Sequence, residues 1–308
     1  MSCIEINISN GVKKIILLTG MFLTLFPLSS SAWTLSGFQS PECIQADPET
    51  GSYYVSNIQG EVSAKDGNGY LSRIAPNGNT VIQKLIGGRL ENPLLNAPKG
   101  LWITDKEIFV ADIDTIKVFD KASGRPVRNI DLSGLNVKDL NDLAMDSSGR
   151  LYVCDRMTNR IFRISVQKDF EISVFKEGPM LGSPNGLAVN PKNQHLMVVT
   201  WEGGRILEIE PNGNVHVLKR GLHGLDGIDY DVEGNLYVSS AEKGEIYRIP
   251  YYGRGTLTLF MSGLTSPANI SCDRVRHELL VPSLTDNSVS TFPLFSGPER
   301  KPPAEKKK

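Results

Sequence analysis

The chain has 308 residues, a formal net charge of −1 and four cysteines; 40% of it is hydrophobic and 22% charged. That balance suits a globular protein with a sizeable core and excludes a disordered chain. It also supplies no global basic field, so no nucleic-acid partner is expected.

Residues 1–32 read as a secretory signal peptide. Lys13 and Lys14 supply the positive flank, Ile15 to Leu28 is a mostly apolar run, and Ser30, Ser31 and Ala32 offer small residues for a cut ahead of Trp33. The run is short of the ~20 residues a membrane span needs; an uncleaved N-terminal anchor is the competing reading. The expected location is secreted or periplasmic, with no membrane contact after cleavage. Gly297 to Lys308 is rich in charge and proline and reads as a solvated tail, which leaves 33–296 as the folded domain.

Between these ends the chain reads as short strands separated by turn residues. One stretch shows the unit: Asn185–Asn190, His195–Thr200, Gly204–Glu210 and Asn214–Leu218, parted by Pro191-Lys192-Asn193, Glu202-Gly203-Gly204 and Pro211-Asn212-Gly213-Asn214. The unit recurs as Asn141–Asp146, Arg150–Asp155, Arg160–Ser165 and Glu171–Phe175, and again as Asp226–Asp231, Asn235–Ser239, Gly244–Pro250 and Thr256–Met261. No convincing amphipathic helix follows the leader. Each unit opens on a variant of Ser183-Pro184-Asn185-Gly186-Leu187-Ala188-Val189-Asn190, and six such openers stack Glu42, Lys99, Asn141, Asn185, Asp226 and Ala268 in one column. Their spacings are 57, 42, 44, 41 and 42 residues. A period near 40–45 with four strands per unit marks a β-propeller blade, so the expected fold is an all-β, six-bladed β-propeller. The long first spacing reflects an insert, Gln59 to Gly69, expected to hang over one face as a lid or a plain loop. The last unit has only Ala268–Asp273, Glu278–Pro282 and Ser288–Leu294. The N-terminal strand of the mature chain, Trp33–Phe38, is expected to complete it and close the ring.

First strands of propeller blades line the central channel, so the column predicts a ring at one level. Glu42, Asn141, Asn185 and Asp226 are hard oxygen donors whose formal charge of −2 matches a divalent cation; singly, such residues often cap turns. Lys99 is expected to pair with Glu42 or to attract an acidic substrate. Cys43, Cys154 and Cys272 match no zinc ligand set; buried free thiols are expected, although Cys43 and Cys272 fall in units that closure makes neighbours. Trp102 and Trp201 are expected to pack blades, with lining of the pocket as the alternative.

Pro41-Glu42, Asn141-Asp142, Ser183-Pro184-Asn185-Gly186 and Leu225-Asp226-Gly227, each opening a blade, resemble the senescence marker protein (regucalcin) and gluconolactonase propellers, with the paraoxonases as more distant relatives. The resemblance spans Trp33 to Phe295. It implies that Glu42, Asn185 and Asp226 hold one divalent metal, calcium first, with magnesium, manganese or zinc as alternatives. It further implies that Asn141 contacts substrate or metal-bound water, and that the reaction is hydrolysis of a small-molecule lactone or ester. Asp226 is the expected base, with His223 on the loop above the ring as a second candidate; Asn141 and Lys99 are the expected substrate contacts. Asp139 stands where sugar-lactone members carry an arginine, which argues against gluconolactone itself. A non-catalytic, NHL-repeat-like scaffold is the alternative, carried by stretches such as Gly149-Arg150-Leu151-Tyr152-Val153-Cys154-Asp155. A strictosidine-synthase-like enzyme would want a catalytic glutamate in a late blade, and the column position of the sixth unit holds Ala268. A monomer is expected.

Overall fold

The protein was analysed as a computed structural model, in which residues 32–88 and 95–294 are described. The expected leader, Ala32 excepted, and the expected charged tail lie outside these residues. Among the described residues no helix is long and apolar enough to cross a membrane.

The described chain forms six four-stranded antiparallel sheets. Blade one is β2 (Pro41–Ala46), β3 (Tyr53–Asn57), β4 (Tyr70–Ile74) and β5 (Val81–Gly87); it is preceded by β1 (Thr34–Ser36). Blade two is β6 (Pro98–Ile103), β7 (Glu107–Asp112), β8 (Thr115–Asp120) and β9 (Pro126–Asp131). Blade three is β10 (Leu140–Met145), β11 (Arg150–Asp155), β12 (Arg160–Ser165) and β13 (Glu171–Glu177). Blade four is β14 (Pro184–Val189), β15 (Leu196–Thr200), β16 (Arg205–Ile209) and β17 (Val215–Arg220). Blade five is β18 (Leu225–Tyr230), β19 (Leu236–Ser240), β20 (Glu245–Ile249) and β21 (Thr258–Ser262). Blade six holds β22 (Ser271–Asp273), β23 (Glu278–Ser283) and β24 (Ser288–Pro293), with β1 as its fourth strand through the pairs Thr34–Ser290, Leu35–Val289 and Ser36–Ser288. The inner strands touch in sequence, β2 to β6, β10, β14, β18, β22 and back to β2, which makes the molecule a six-bladed β-propeller.

The alternation of the sequence explains the packing. Side chains of one parity on each strand face the preceding blade and those of the other parity the following blade. Most buried apolar residues therefore gather in six seams, one per blade junction, beside a small seventh cluster of Ile58, Ala97 and Ile113. Phe109, Leu143, Val153 and Phe162 fill the seam between blades two and three, and Tyr152, Leu187, Val198 and Leu207 the next. Trp33 and Leu35 pack with Tyr53, Val55 and Val289 in the seam between blades six and one. Fully burying one such aliphatic or aromatic side chain contributes about 1.5–3 kcal/mol.

The repeat also carries its own turn chemistry. Five residues beyond each column position, Asp47, Thr104, Asp146, Asn190, Asp231 and Asp273 accept backbone N–H groups of the turn that follows, as in Ser148 N to Asp146 Oδ1 at 2.9 Å and Asn235 N to Asp231 Oδ1 at 2.8 Å. Among the described residues helix is limited to one-turn 3-10 pieces such as Ser133–Leu135. The continuous first strand of blade six, Ser271–Asp273, is shorter than its sequence suggests. Upstream, Pro267 bridges Ser283 and the Ala268 N–H donates to the Pro282 carbonyl of β23 at 3.0 Å, while the Asn269 N–H donates to the Glu42 carbonyl of blade one at 2.9 Å. Cys43, Cys154 and Cys272 are buried and free, as expected.

Candidate active site at the mouth of the channel

The column residues stand out because each sits in a bulge. In β10 the ladder pairs Leu140 with Asp155 and Leu143 with Val153, which leaves Asn141 and Asp142 opposite Cys154 alone. The same slip isolates Glu42, Lys99, Asn185 and Asp226 in blades one, two, four and five. A bulge breaks pairing and re-aims a side chain, and here it does so at one level in five blades. The freed N–H of the next residue is capped from the second strand: Cys43 by Ser56 Oγ at 3.0 Å, Asp142 by Cys154 Sγ at 3.3 Å, and Gly227 by Ser239 Oγ at 2.7 Å. The Cys154 thiol in turn donates to the Asn185 carbonyl at 2.9 Å, tying blade three to blade four.

Residues one place beyond the column form a second layer: Cys43, Gly100, Asp142, Gly186, Gly227 and Asn269. The glycines permit close approach of neighbouring inner strands. A Cβ at Gly186 would lie 2.3 Å from the Asp226 carbonyl oxygen, and one at Gly227 2.3 Å from the Ile270 nitrogen. Asp142 and Asn269 fill this layer. Asn269 Nδ2 donates to Asp142 Oδ1 at 2.7 Å across the ring, while Leu187 N donates to Asp142 Oδ2 at 2.7 Å. Sequence reasoning passed over this floor, although the adjacent column holds a carboxylate where most units have glycine or cysteine.

Above that floor, Glu42, Asn185 and Asp226 are each 5% exposed or less. Glu42 Oε2, Asn185 Oδ1 and Asp226 Oδ1 are all buried without a hydrogen-bond partner. Burial pushes the Glu42 carboxyl well above its ordinary range, and the neighbouring charges of Asp226 and Asp142 add to the push. Burial also lifts Asp226 to about 7, against the opposing pull of Arg156, and Asp142 to about 7 despite its hydrogen bonds. Asn141 is buried at the same level. Among the described residues no group of three or more His, Cys, Asp or Glu forms a metal centre; the ring set has two carboxylates and an amide.

Lys99 does not reach for Glu42. Its ammonium makes an ion pair with Asp139 Oδ1 at 2.8 Å and donates to the Val62 carbonyl at 2.9 Å, tying down the inserted loop. Asp139 Oδ2 accepts Arg156 Nε at 2.8 Å. An arginine therefore does reach this wall, from the turn between β11 and β12 rather than from the position of Asp139; nothing in the local sequence pattern signals it. His223 is exposed on the loop entering β18, its carbonyl accepting Ser240 Oγ at 2.6 Å. Ala268, the sixth column member, is fully buried. Trp102 packs on the seam between blades two and three, as expected. Trp201 instead lines a pocket of about 310 Å³ with Arg156, Met157, Asn159, Ser183 and Glu202.

No family model and no curated protein matches the chain. Solved structures do. One is a catalytically inactive variant of virginiamycin B lyase from Staphylococcus aureus with quinupristin, at 17% identity over 85% of this chain and 98% of that one, TM-score 0.60. A second is a protein of unknown function from Bacteroides thetaiotaomicron, at 15% identity over 82% and 69% of the two chains, TM-score 0.65. A third, from a nidogen/laminin complex, is 18% identical over 75% and 88%, TM-score 0.62. The shared feature is the propeller. Likeness at this identity carries the fold, and leaves membership in the regucalcin and gluconolactonase family unassigned.

Proposed function

We propose that the protein is a metal-dependent hydrolase of the lactonase or carboxylic-ester type, acting as a secreted or periplasmic monomer. One observation carries the reading: three buried oxygens, on Glu42, Asn185 and Asp226 from three different blades, have no hydrogen-bond partner. Leaving such atoms unpaired costs about 1–3 kcal/mol each, more when charged, whereas a cation at the ring would satisfy all three. Hard oxygen donors with a formal charge of −2 fit calcium, with magnesium, manganese or zinc as alternatives. When bound, such an ion supplies Lewis-acid polarisation of a carbonyl and a counter-charge for the developing oxyanion.

The chain's own residues do the rest. Asp226 keeps a second carboxylate oxygen to accept the proton of the attacking water. The proton then passes to the departing alkoxide as the acyl–oxygen bond breaks, so that ester and water become acid and alcohol. Asn141 offers an amide to the substrate from the neighbouring bulge. Lys99 acts on the substrate only through Asp139 and the insert it fastens. His223 is the second candidate base, exposed on the loop entering β18 rather than among the buried oxygens of the ring. We also propose that β1, in pairing with β24, closes the ring.

The test is to strip the mature chain with chelator, add back calcium, magnesium, manganese or zinc, and follow both melting and hydrolysis of a lactone and aryl-ester panel. Cation-dependent melting and turnover in wild type, with both lost in Asp226→Ala, is the expected result. A cation-dependent melt without turnover anywhere in the panel points to a binding scaffold of the NHL kind. No cation effect on melting overturns the ring site.

A further inference from the structure

We propose that the pocket between blades three and four is the recognition arm of the site, in which Arg156 grips a carboxylate on the ligand while Trp201 and Met157 receive a flat apolar group. The proposal deepens the hydrolase reading and rests on it for the reacting bond. The substrate class it names is an ester or lactone whose acyl part bears one carboxylate beside an aromatic or similarly flat portion.

The cation is built in. Arg156 is fixed twice to the same residue: its Nε donates to Asp139 Oδ2 at 2.8 Å, and its backbone N–H to the Asp139 carbonyl at 3.0 Å. Asp139 is fully buried and is held from its other oxygen by Lys99. Only one edge of the guanidinium is used in this way. Among the described residues its two terminal nitrogens have no acceptor, although the side chain is 28% exposed and lines the pocket. A guanidinium anchored through Nε presents its Nη pair as a ready fork for a carboxylate. Arg156 also stands close enough to Asp226 and Glu42 to feel their charge, which places it between the ring and the pocket.

The remaining walls are equally set. Ser183 N donates to Asn159 Oδ1 at 2.6 Å, and Trp201 N donates to the Ser183 carbonyl at 2.8 Å. Asn159 and Ser183 both hold left-handed backbone, at φ of 53° and 60°, conformations that the surrounding contacts must enforce. Trp201 is half-buried, without a place in the seams, so its ring is available to a ligand. Glu202 is exposed at the rim; it disfavours a second negative charge on the outer end of the ligand and so orients a monoanion inward. At about 310 Å³, the space stands at the small end of ligand sites, which run from roughly 300 to 1,000 Å³.

The test uses the calcium-loaded mature chain and two probes that are not hydrolysed as esters, 3-phenylpropionate and 3-phenylpropionamide. They differ only in the charged fork acceptor. Titration by tryptophan fluorescence and calorimetry should show the acid binding about tenfold more tightly than the amide, the range expected for a charge-assisted bidentate pair. Arg156→Gln should erase the preference with little change for the amide, and Trp201→Leu should weaken both probes alike. Equal affinities in wild type, or a preference that survives in folded Arg156→Gln, overturns the proposal. Should Arg156→Gln fail to fold, the wild-type comparison of acid and amide decides by itself. The two readings separate: turnover without acid preference removes this assignment and leaves the hydrolase, whereas acid preference without turnover leaves the arm and removes the hydrolase.

Discussion

Removing divalent cations should make the protein progressively less stable between pH 5 and pH 8. Asp226 and Asp142 are both lifted from 3.8 to about 7 in the folded protein, and Glu42 is raised too. A carboxyl whose folded pKa lies above its unfolded value binds its proton more tightly when folded. Stability is therefore greatest below about pH 4 for these groups, falls as pH rises through the interval from roughly 4 to 7, and levels off above it. A lift of about 3 units at 1.36 kcal/mol each is on the order of 4 kcal/mol for Asp226 alone. The three carboxyls titrate against one another in one channel, so their losses do not simply add. Between pH 5 and pH 8 about 2 of those units are lost, on the order of 3 kcal/mol, which for a domain of this size corresponds to a melting shift of roughly 7 °C. Calorimetry of the chelator-stripped chain at pH 5, 6, 7 and 8 reads the slope directly. Saturating calcium should flatten it, because the ion favours the deprotonated ring and adds about 2.7 kcal/mol at a hundredfold excess over its dissociation constant. Asp142→Asn, which removes a charge from the floor but leaves the ring donors in place, should make the stripped slope shallower. A stripped protein that melts at the same temperature at pH 5 and pH 8, or lower at pH 5, would refute the idea that these carboxyls share a buried site.

Three other perturbations test separate parts of the architecture. Lys99→Met leaves Asp139 with Arg156 as its one remaining cation among the described residues and releases the Val62 carbonyl; breaking a buried pair from one side should destabilise the fold by about 3–5 kcal/mol and raise hydrogen exchange in the 59–69 insert, read by mass spectrometry. Gly186→Ala drives a Cβ to 2.3 Å from the Asp226 carbonyl and 2.9 Å from Val199 Cγ2; a loss of about 1–3 kcal/mol in denaturant melts should come with weaker calcium binding by calorimetry. Deleting residues 33–40 removes Trp33, Leu35 and Phe38 from the seam between blades six and one, together with the β1–β24 ladder. It should abolish cooperative melting, while loss of the last ten residues should not; the reverse order would refute closure by β1.

The repeat was legible because its signals are local. A turn residue and a two-residue alternation are written in contiguous sequence, and six copies reinforce one another, so blade number and most strands follow within a residue or two. The alignment of Glu42, Asn185 and Asp226 was legible for the same reason: each sits at the same phase of its blade's first strand. What escaped was set by contacts between units. Lys99 shares the column with Glu42, yet its ammonium turns to Asp139, two residues before the column in the next blade. Arg156 lies in a turn whose sequence carries no signal, and only the fold brings it to that same Asp139. The short first strand of blade six likewise reflects the Asn269 amide group, which turns to the Glu42 carbonyl of blade one.

The bulges connect these two kinds of information. A regular inner strand would direct alternate side chains into the seams on either side, and a polar column would then be buried among apolar neighbours. Slipping the ladder by one residue frees the column from that constraint. It also exposes an amide, and the caps from Ser56, Cys154 and Ser239 satisfy it. Cys154→Ala would leave the Asp142 N–H and the Asn185 carbonyl short of a partner without touching any ring oxygen. If the bulge serves to hold Asn185 at the ring, this substitution should lower calcium affinity several-fold, and Cys154→Ser, which can donate and accept in the same place, should restore it. An unchanged affinity in folded Cys154→Ala would mean that the inner strands hold the ring without help from their caps.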